Sequence, residues 1–579
     1  MIEQKITDII LRALKKLGVP EGMVRIVLEH PADPKFGDYS TNVAMALFKQ
    51  LGATAKSPLA LAETIASGIA EEVKYSQSSP VASVEAVAPG FINFHLTKKF
   101  LKDSVADAIS KTAFFGKGTK LWNKKIIIEH TNLNPFKPFH IGHLVNNAIG
   151  ESLTRLLEFQ DAKLVRASYG GDIGLHVAKT LWVVRKNQAG IPKNAPAKAV
   201  VDFLGKAYAE GNAAYEKDLI AQNEIKELNK KIFDKSDKAL NELYDWGRKK
   251  SLEYFAELYK KLNTKIDVQF FESEVAEDGL KVVKDFLARG VFVQSEGAVI
   301  FKGEDYDLHS RVFITSQGLP TYEAKEIGLT RRKFELDNFD LSIVVTANEQ
   351  NDYFDVVLKA LSFIYPEIAK RTVHLGHGMM RLESGKMSSR AGTAFGAEDM
   401  MAEVEKMVAE KIKDKDYSES EKKEIIERVG LGAIRYSILK QSIGKDIIFD
   451  PEKSLSFEGD SGPYLQYAYV RTHAILEKAE REGILPNAEG QSSDNELPLE
   501  RLIYRFPDIV ERAAEERAPQ LIATYLVDLA GEFSKYYAKN KIVDKNDAGS
   551  PYKLALADAV RWTLKNGLYL LGIQTPVRM

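Results

Sequence analysis

Apolar residues near the start of the chain recur at helical spacing. Ile6, Ile9, Ile10, Ala13, Leu14 and Leu17 share one face and predict an amphipathic first helix. The segment Pro34-Lys35-Phe36-Gly37-Asp38-Tyr39-Ser40 reads as a turn leading into an apolar helix from Val43 to Leu51. Val84-Glu85-Ala86-Val87-Ala88 and Phe91-Ile92-Asn93-Phe94-His95-Leu96 flank Pro89-Gly90, the pattern of a hairpin. In its second strand Phe91 and Asn93 share one face, Ile92 and Phe94 the other. Gly116-Lys117-Gly118 reads as a linker. Strands then alternate with helices, at Lys125 to His130, Leu164 to Ser168 and Leu341 to Thr346, the βαβ rhythm of a parallel sheet. A Lys- and Glu-rich helical stretch over about 186–262 interrupts it, read as packing on the sheet's rim. From about 419 the pattern is almost wholly helical, after the charged boundary Lys413-Asp414-Lys415-Asp416-Tyr417-Ser418. The pattern predicts parts at 1–115, 121–375, 376–430 and 431–579.

The length of 579 residues fits about four domains. Composition adds mainly exclusions. With 80 basic and 81 acidic residues, the net charge of −1 gives no global attraction to a polyanion, so any nucleic acid must meet local basic faces. The absence of cysteine excludes disulfides, thiolate metal sites and cysteine nucleophiles. Met1-Ile2-Glu3-Gln4-Lys5 does not read as a signal peptide, and no apolar run approaches the length of a membrane span. A soluble cytoplasmic protein is expected.

The candidate chemistry lies in two segments. His140-Ile141-Gly142-His143 stands between the apolar strand Ile126-Ile127-Ile128 and a helix beginning near Leu144, where a doubly wound sheet binds nucleotide phosphates. Far downstream, Lys386-Met387-Ser388-Ser389-Arg390 follows another apolar strand in a Gly- and Ser-bearing loop. A reaction at a nucleotide phosphate gathers negative charge in its transition state, which calls for donors and positive charge held in place. Two imidazoles at a helix N-terminus supply donors that converge with the helix dipole. Gly142 is read as leaving room for adenosine against the backbone. Alone, such a pair of histidines is more often a matter of capping or core packing. The flanking Asn134-Pro135-Phe136-Lys137-Pro138 and the downstream Lys386-Met387-Ser388 favour a site.

Together the two segments resemble the ATP signatures of class I aminoacyl-tRNA synthetases, and further motifs narrow this to the arginyl-tRNA synthetases of bacterial type. Glu129-His130-Thr131-Asn132-Leu133-Asn134-Pro135 is similar to that family's Glu-x-Ser-x-Pro-Asn stretch. Tyr169-Gly170-Gly171-Asp172-Ile173-Gly174 resembles its Asp-x-Gly turn. Phe36-Gly37-Asp38-Tyr39 and Pro89-Gly90-Phe91-Ile92-Asn93 resemble its N-terminal domain. The ending from Asn566 to Met579 is similar to its C-terminal signature. The resemblance covers essentially the whole chain.

It implies a multidomain α/β protein: a small α/β N-terminal domain meeting the tRNA elbow, a Rossmann-like catalytic domain with a helical insertion, a loop region contacting the tRNA stem, and an all-α anticodon-binding bundle. The implied reaction joins L-arginine to tRNA(Arg) through an arginyl-adenylate, using ATP with Mg2+ as substrate and no tightly bound cofactor. A monomer without membrane contact is expected. His140, His143, Lys386 and Lys137 would be catalytic. Gly142, Asn134, Met387, Ser388, Ser389 and Arg390 would hold ATP. Glu129, Asn134, His143, Tyr322, Glu326, Gln350 and Asp172 would hold arginine. Phe36, Asn42, Tyr464, Gln466, Tyr537 and Met579 would meet tRNA; taken singly, a tyrosine of the bundle is equally a core residue. Two departures carry physical content. The loop pattern of the class is Lys-Met-Ser-Lys-Ser, and Ser389 replaces its second lysine, an absence Lys137 would offset from the other side of ATP. Glu326 stands where the family more often has Asp. The rival readings are another class I synthetase, such as the cysteine enzyme, and a catalytically silent tRNA-binding relative.

Overall fold

The computed structural model describes residues 2–31, 33–51, 56–75, 79–187, 190, 192, 194–382 and 396–579, which fall into two units. The first comprises residues 1–116 with 468–510 and 525–566, and the second 117–467 with 511–524 and 567–579.

In the first unit, β1 (Leu28–Glu29), β2 (Tyr39–Thr41), β3 (Val81–Val87) and β4 (Phe91–Leu96) form an antiparallel sheet in the order β1-β2-β4-β3, with the expected hairpin at β3–β4. Helices α1 (Ile2–Lys16), α2 (Val43–Leu51), α3 (Pro58–Tyr75) and α4 (Lys98–Lys111) belong to the same unit. The helical periodicity read from Ile6 to Leu14 is the buried face of α1, and it shares a core with Tyr39, Ile92 and Phe94. The Phe36-Gly37-Asp38-Tyr39 motif is largely internal. Asp38 is 1 % exposed and accepts from the Leu96 amide at 2.8 Å and from Nε of Arg501 at 2.7 Å. The Tyr39 hydroxyl donates to Asp508 at 3.2 Å. Phe36 and Asn42, by contrast, stay exposed.

The second unit is built on five parallel strands: β5 (Lys125–Glu129), β6 (Lys163–Gly170), β7 (Val268–Phe271), β11 (Leu341–Ala347) and β12 (Thr372–His377), in the order β12-β11-β5-β6-β7. The order reverses between β5 and β11, and in open α/β sheets the crevice beyond such a reversal is where ligands bind. Helix α5 (Ile141–Phe159) crosses from β5 to β6 and is buried along most of its length. After β6 comes α6 (Leu175–Lys186), then the insertion, α7 (Ala197–Lys217), α8 (Leu219–Asp234) and α9 (Lys238–Lys261). Beyond β7 come α10 (Glu272–Leu287), a small antiparallel sheet of β8 (Val293–Ser295), β9 (Ala298–Phe301) and β10 (Arg311–Ile314), and α11 (Tyr322–Leu336). Gly279 and Gly328 let α10 and α11 meet backbone to backbone: a Cβ at Gly279 would stand 2.0 Å from the Ala324 oxygen. Helices α12 (Asn351–Ile364) and α13 (Pro366–Ala369) connect β11 to β12.

Past the sheet, β13 (Met380–Leu382) pairs in parallel with β14 (Ile447–Phe449), separated in sequence by α14 (Ala397–Ile412) and α15 (Glu419–Leu439). Helices α16 (Pro451–Ser454), α17 (Gly462–Glu482), α18 (Leu497–Glu515), α19 (Pro519–Lys539) and α20 (Ser550–Leu570) complete the chain. The boundary expected at 430/431 falls inside α15, because the apolar positions Ile425, Val429, Ala433 and Ile434 continue one buried face without a break. The segment after Asn566 belongs to the second unit, and side chains of α5, α15 and α17 bond its carbonyls from Tyr569 to Thr575.

The Asp38–Arg501 pair ties the N-terminal sheet to α18 within the first unit. Asp38→Ala should lower its stability by about 3 kcal/mol, since it leaves a buried cation and a backbone amide unmatched. A denaturant midpoint equal to that of the unaltered chain would show the pair to be dispensable.

Candidate active site

Where the sheet order reverses, a cleft of about 490 Å³ opens in the second unit. It is lined by Glu129, Asn134, Lys137, His140, Gly142, His143, Tyr322, Glu326 and Gln350, so nine of the residues singled out in the sequence converge there. The parallel strands explain this convergence. Glu129 closes β5, Gln350 follows β11, and Tyr322 and Glu326 lie one turn apart on α11.

The loop from β5 to α5 is held by asparagines. Thr131 and Asn132 have φ of +71° and +43°, a left-handed bend. Asn132 accepts from the Tyr169 amide and donates to Glu129, both at 2.9 Å. Asn134 accepts from the Gly171 amide at 2.7 Å. Phe136 is buried in the insertion's core, and its amide donates to Ser251 on α9 at 3.1 Å. That anchor carries Lys137, whose ammonium lies over Tyr208 of α7 at 5.3 Å.

His140 is the N-cap of α5, and its pairing with His143 is reciprocal. Nδ1 of His140 accepts from the His143 amide at 3.4 Å, and Nδ1 of His143 accepts from the His140 amide at 3.3 Å. The rings stack with centroids 3.5 Å apart. Desolvation, then the charge of Lys137, lowers His140 to about 4. Burial, then His140 and Lys137, holds His143 well below the ordinary value. Both rings are therefore neutral near pH 7, and with Nδ1 accepting, the ring proton sits on Nε2. Gly142 serves this arrangement rather than adenosine alone: a Cβ there would stand 3.1 Å from Cε1 and Nδ1 of His140.

The acidic wall contains more than was foreseen. Glu129 pairs with Lys333, which is 1 % exposed, and Glu272 pairs with Lys325 at 2.5 Å. Burial raises Glu272, with Lys325 opposing. Glu326 makes no hydrogen bond or ion pair among the described residues. Burial raises it to about 8, with Lys333 opposing and Glu129 and Glu272 adding. The buried Tyr169 hydroxyl has no hydrogen-bond partner among the described residues, and Tyr169 also lines the cleft. Arg311 brings a cation to the lining and pairs with Glu323 at 3.2 Å. Glu272, Lys333, Asn132, Tyr169 and Arg311 were missed. An acid directly after the short apolar strand Val268-Gln269-Phe270-Phe271 was the signal available for Glu272.

Several expectations need correction or fall elsewhere. Asp172 does not line the cleft. It is wholly buried, and its carboxylate accepts from Arg248 at 2.8 Å, Tyr244 at 3.1 Å and both the amide and hydroxyl of Ser273. Gln466 is also buried, donating to the carbonyls of Arg428 and Gln574, so its amide is committed to the protein. Tyr464 and Met579 are half-buried in the second unit, and Tyr537, under the Arg471 guanidinium, is exposed in the first. Lys386, Met387, Ser388, Ser389 and Arg390 lie outside the described residues.

A switch-point crevice with a histidine-capped helix after the first strand is the architecture of a class I aminoacyl-tRNA synthetase. The family model "tRNA synthetases class I (R), catalytic domain" matches residues 105–451. "Arginyl tRNA synthetase N terminal domain" matches 4–96, and "DALR anticodon binding domain" matches 465–579. The chain belongs to the arginyl-tRNA synthetase family. It is 30 % identical to the arginine–tRNA ligase of Halothermothrix orenii, over 100 % of this chain and 99 % of that one. It is also 30 % identical to that of Borrelia hermsii, over 99 % and 98 %. Among solved structures, Thermus thermophilus arginyl-tRNA synthetase superposes with a TM-score of 0.81 at 26 % identity, covering all of both chains. The Plasmodium falciparum arginyl-tRNA synthetase shares the fold, with a TM-score of 0.77 at 21 % identity over 100 % and 99 %. Among the described residues no helix is long and apolar enough to cross a membrane.

The reciprocal cap makes a spectroscopic prediction. Nitrogen-15 chemical shifts of labelled histidine should assign His140 and His143 to the neutral Nε2–H tautomer at pH 6 to 8, roughly two or more units above where His140 titrates. Imidazolium shifts at pH 7 would contradict this account of the cap.

Proposed function

We propose that this chain charges tRNA(Arg) with L-arginine in two steps at this cleft. A carboxylate oxygen of arginine attacks the α-phosphorus of ATP, the bond to the β-phosphate oxygen breaks, and pyrophosphate leaves. A hydroxyl of the tRNA's terminal ribose then attacks the arginyl carbonyl, and AMP departs. The observation that carries this reading is one cleft holding both a histidine-capped helix N-terminus and a buried acidic wall.

On the phosphate side, His140 and His143 donate Nε2–H to the oxygens that gain charge, and the α5 dipole acts in the same sense. Lys137 supplies the cation that Ser389 lacks. Its own pKa is lowered by burial while Glu272 supports its charge, so an arriving triphosphate finds a lysine that gains by pairing. Lys386, Met387, Ser388 and Arg390 are assigned to the same phosphates by their motif, and Mg2+ accompanies ATP as its counter-ion.

On the amino acid side, the guanidinium offers five donors and no acceptor. Glu129, Glu326 and the Tyr322 hydroxyl are assigned to it, with Gln350 and Asn134 toward the substrate's ammonium and carboxylate. Asp172 is reassigned as a positioning residue, fixing the turn whose Gly171 amide is held by Asn134. For tRNA, Phe36, Asn42, Tyr464, Tyr537 and Met579 remain the proposed contacts, with the single chain as working unit.

Arginine-dependent exchange of pyrophosphate into ATP, run with tRNA(Arg) present, tests the reading. Exchange should follow arginine and not lysine or ornithine; exchange driven by another amino acid would overturn it. Lys137→Ala should reduce the exchange kcat by roughly a hundredfold with little change in the KM for arginine. An unchanged kcat would remove Lys137 from the phosphate role.

Glu326 gives the site a pH dependence. Burial raises it to about 8, whereas a guanidinium selects the carboxylate. Binding at pH 7 therefore expels a proton, and arginine affinity rises with pH until Glu326 is ionised beforehand. Below pH 8 the gain should approach at most about tenfold per pH unit, flattening above. Calorimetry in buffers of different ionisation enthalpy should show proton release that Glu326→Gln abolishes. Release unaltered in that variant would locate the proton elsewhere.

A further inference from the structure

Among the described residues Arg435 is the largest fully buried side chain, and it forms no ion pair with a carboxylate there. One terminal nitrogen donates to the Gly572 carbonyl. The other donates to the Leu262 carbonyl and, at 3.1 Å, to Oδ1 of Asn147, while Nε has no hydrogen-bond partner among the described residues. A guanidinium buried on neutral acceptors costs several kcal/mol relative to a well-packed apolar side chain, so stability alone is a poor reason for it. What it joins is more informative. Gly572 lies in the terminal segment, Leu262 closes the insertion, and Asn147 sits on α5 two turns beyond His140.

Asn147 passes the connection to the cleft. Its amide donates at 3.1 Å to the hydroxyl of Thr131, which lines the cleft just after β5. The neighbouring Asn146 accepts from the Thr131 amide and donates to the Val345 carbonyl of β11, each at 2.5 Å. The back half of α5 is gripped from the same direction: Ser152 donates to the Leu570 carbonyl at 2.8 Å and Arg155 to that of Tyr569 at 2.9 Å. The terminal segment thus engages α5 through its main chain. At Gly572, φ is +70° and a Cβ would stand 2.5 Å from Nη1 of Arg435, so the contact admits only glycine.

We propose that Arg435 is a positioning residue for the adenylation step, acting through Asn147 and Thr131 so that the terminal segment sets the placement of the histidine-capped helix. This rests on the function proposed above. No atom of Arg435 lines the cleft; its effect is on where the His140 and His143 donors stand when charge develops.

The test is pyrophosphate exchange by the full chain with tRNA(Arg), for Arg435→Lys, Gly572→Ala, Asn147→Ala and the Arg435→Lys/Asn147→Ala double variant, each first checked for a cooperative thermal transition. Donors displaced by a fraction of an ångström should lower kcat at least about tenfold while the KM for arginine stays within about twofold. Because both residues act in series, the double variant should lose little more than the worse single one. Normal kcat in folded Arg435→Lys or Gly572→Ala, or losses that multiply in the double variant, would overturn the proposal. Should Arg435→Lys fail to fold, Gly572→Ala, which retains the guanidinium, decides on the same criteria. Unaltered chain inactive with arginine would instead refute the functional reading itself, so the two failures are distinguishable.

Discussion

Three buried acids line this cleft, and keeping them away from water is the constraint around which it is organised; in the proposed reaction they select a cationic substrate. Glu129, Glu272 and Glu326 are each 5 % exposed or less, and an unmatched ionised carboxylate so placed costs several kcal/mol. Two are balanced internally, Glu129 by Lys333 and Glu272 by Lys325. The third avoids the cost by holding its proton. Matching all three with lysines would leave nothing for a guanidinium, and ionising all three without lysines would set like charges against one another. Helix α11 carries both lysines and Glu326, so its seating against α10, through Gly279 and Gly328, fixes this balance.

The phosphate side solves the opposite problem with neutral groups. Helix N-termini are usually capped by Ser, Thr, Asp or Asn, whose oxygens accept from the first free amides. An aspartate there would place negative charge at the position proposed for a phosphate. An imidazole caps with one nitrogen and keeps a donor on the other, so His140 and His143 complete the helix and, in the proposed reaction, would need no rearrangement to donate as charge develops. Their neutrality follows from burial and from Lys137, which leaves positive charge to the lysine and hydrogen-bond direction to the histidines.

Much of this was legible in the sequence, for identifiable reasons. Strand ends in a parallel sheet converge, so Glu129, His140 and Gln350 could be gathered from their places relative to apolar runs, whereas Tyr322 and Glu326, on α11, came from the family resemblance. The family resemblance sharpened the choice among them. Side chains whose partners come from distant segments were not legible. Asp172 reads as a substrate ligand in a Gly-rich turn, yet Arg248 and Tyr244 approach it from an insertion more than 70 residues downstream in sequence. Gln466 reads as an exposed amide among tyrosines and is instead held by the backbone of the chain's last residues. Lys333 was not singled out, since nothing local in the sequence announces the buried Glu129 it pairs with. The boundary expected at 430/431 falls inside α15, where one buried face runs on without a break, whereas the charged segment Lys413 to Ser418 does precede that helix.

The insertion shows how a segment without reacting groups shapes the site. It was expected to pack on the rim; it also braces two loops of the cleft. Phe136 is locked into its core, which fixes the Lys137 loop, while Tyr244 and Arg248 hold Asp172 and through it the turn that presents Gly171. Tyr208 lies under the Lys137 ammonium. A rigid surround matters here because polar selectivity depends on acceptors that cannot relax toward a poorer ligand. A buried carboxylate left unmatched by a ligand with fewer donors carries its full desolvation cost, and such discrimination can reach about 10⁴-fold without a separate proofreading site. Helices that only hold loops still therefore serve specificity as directly as the acids do: mobility of the Lys137 loop or the Gly171 turn would let the wall close on a smaller ammonium, and the energetic difference between the two cations would shrink.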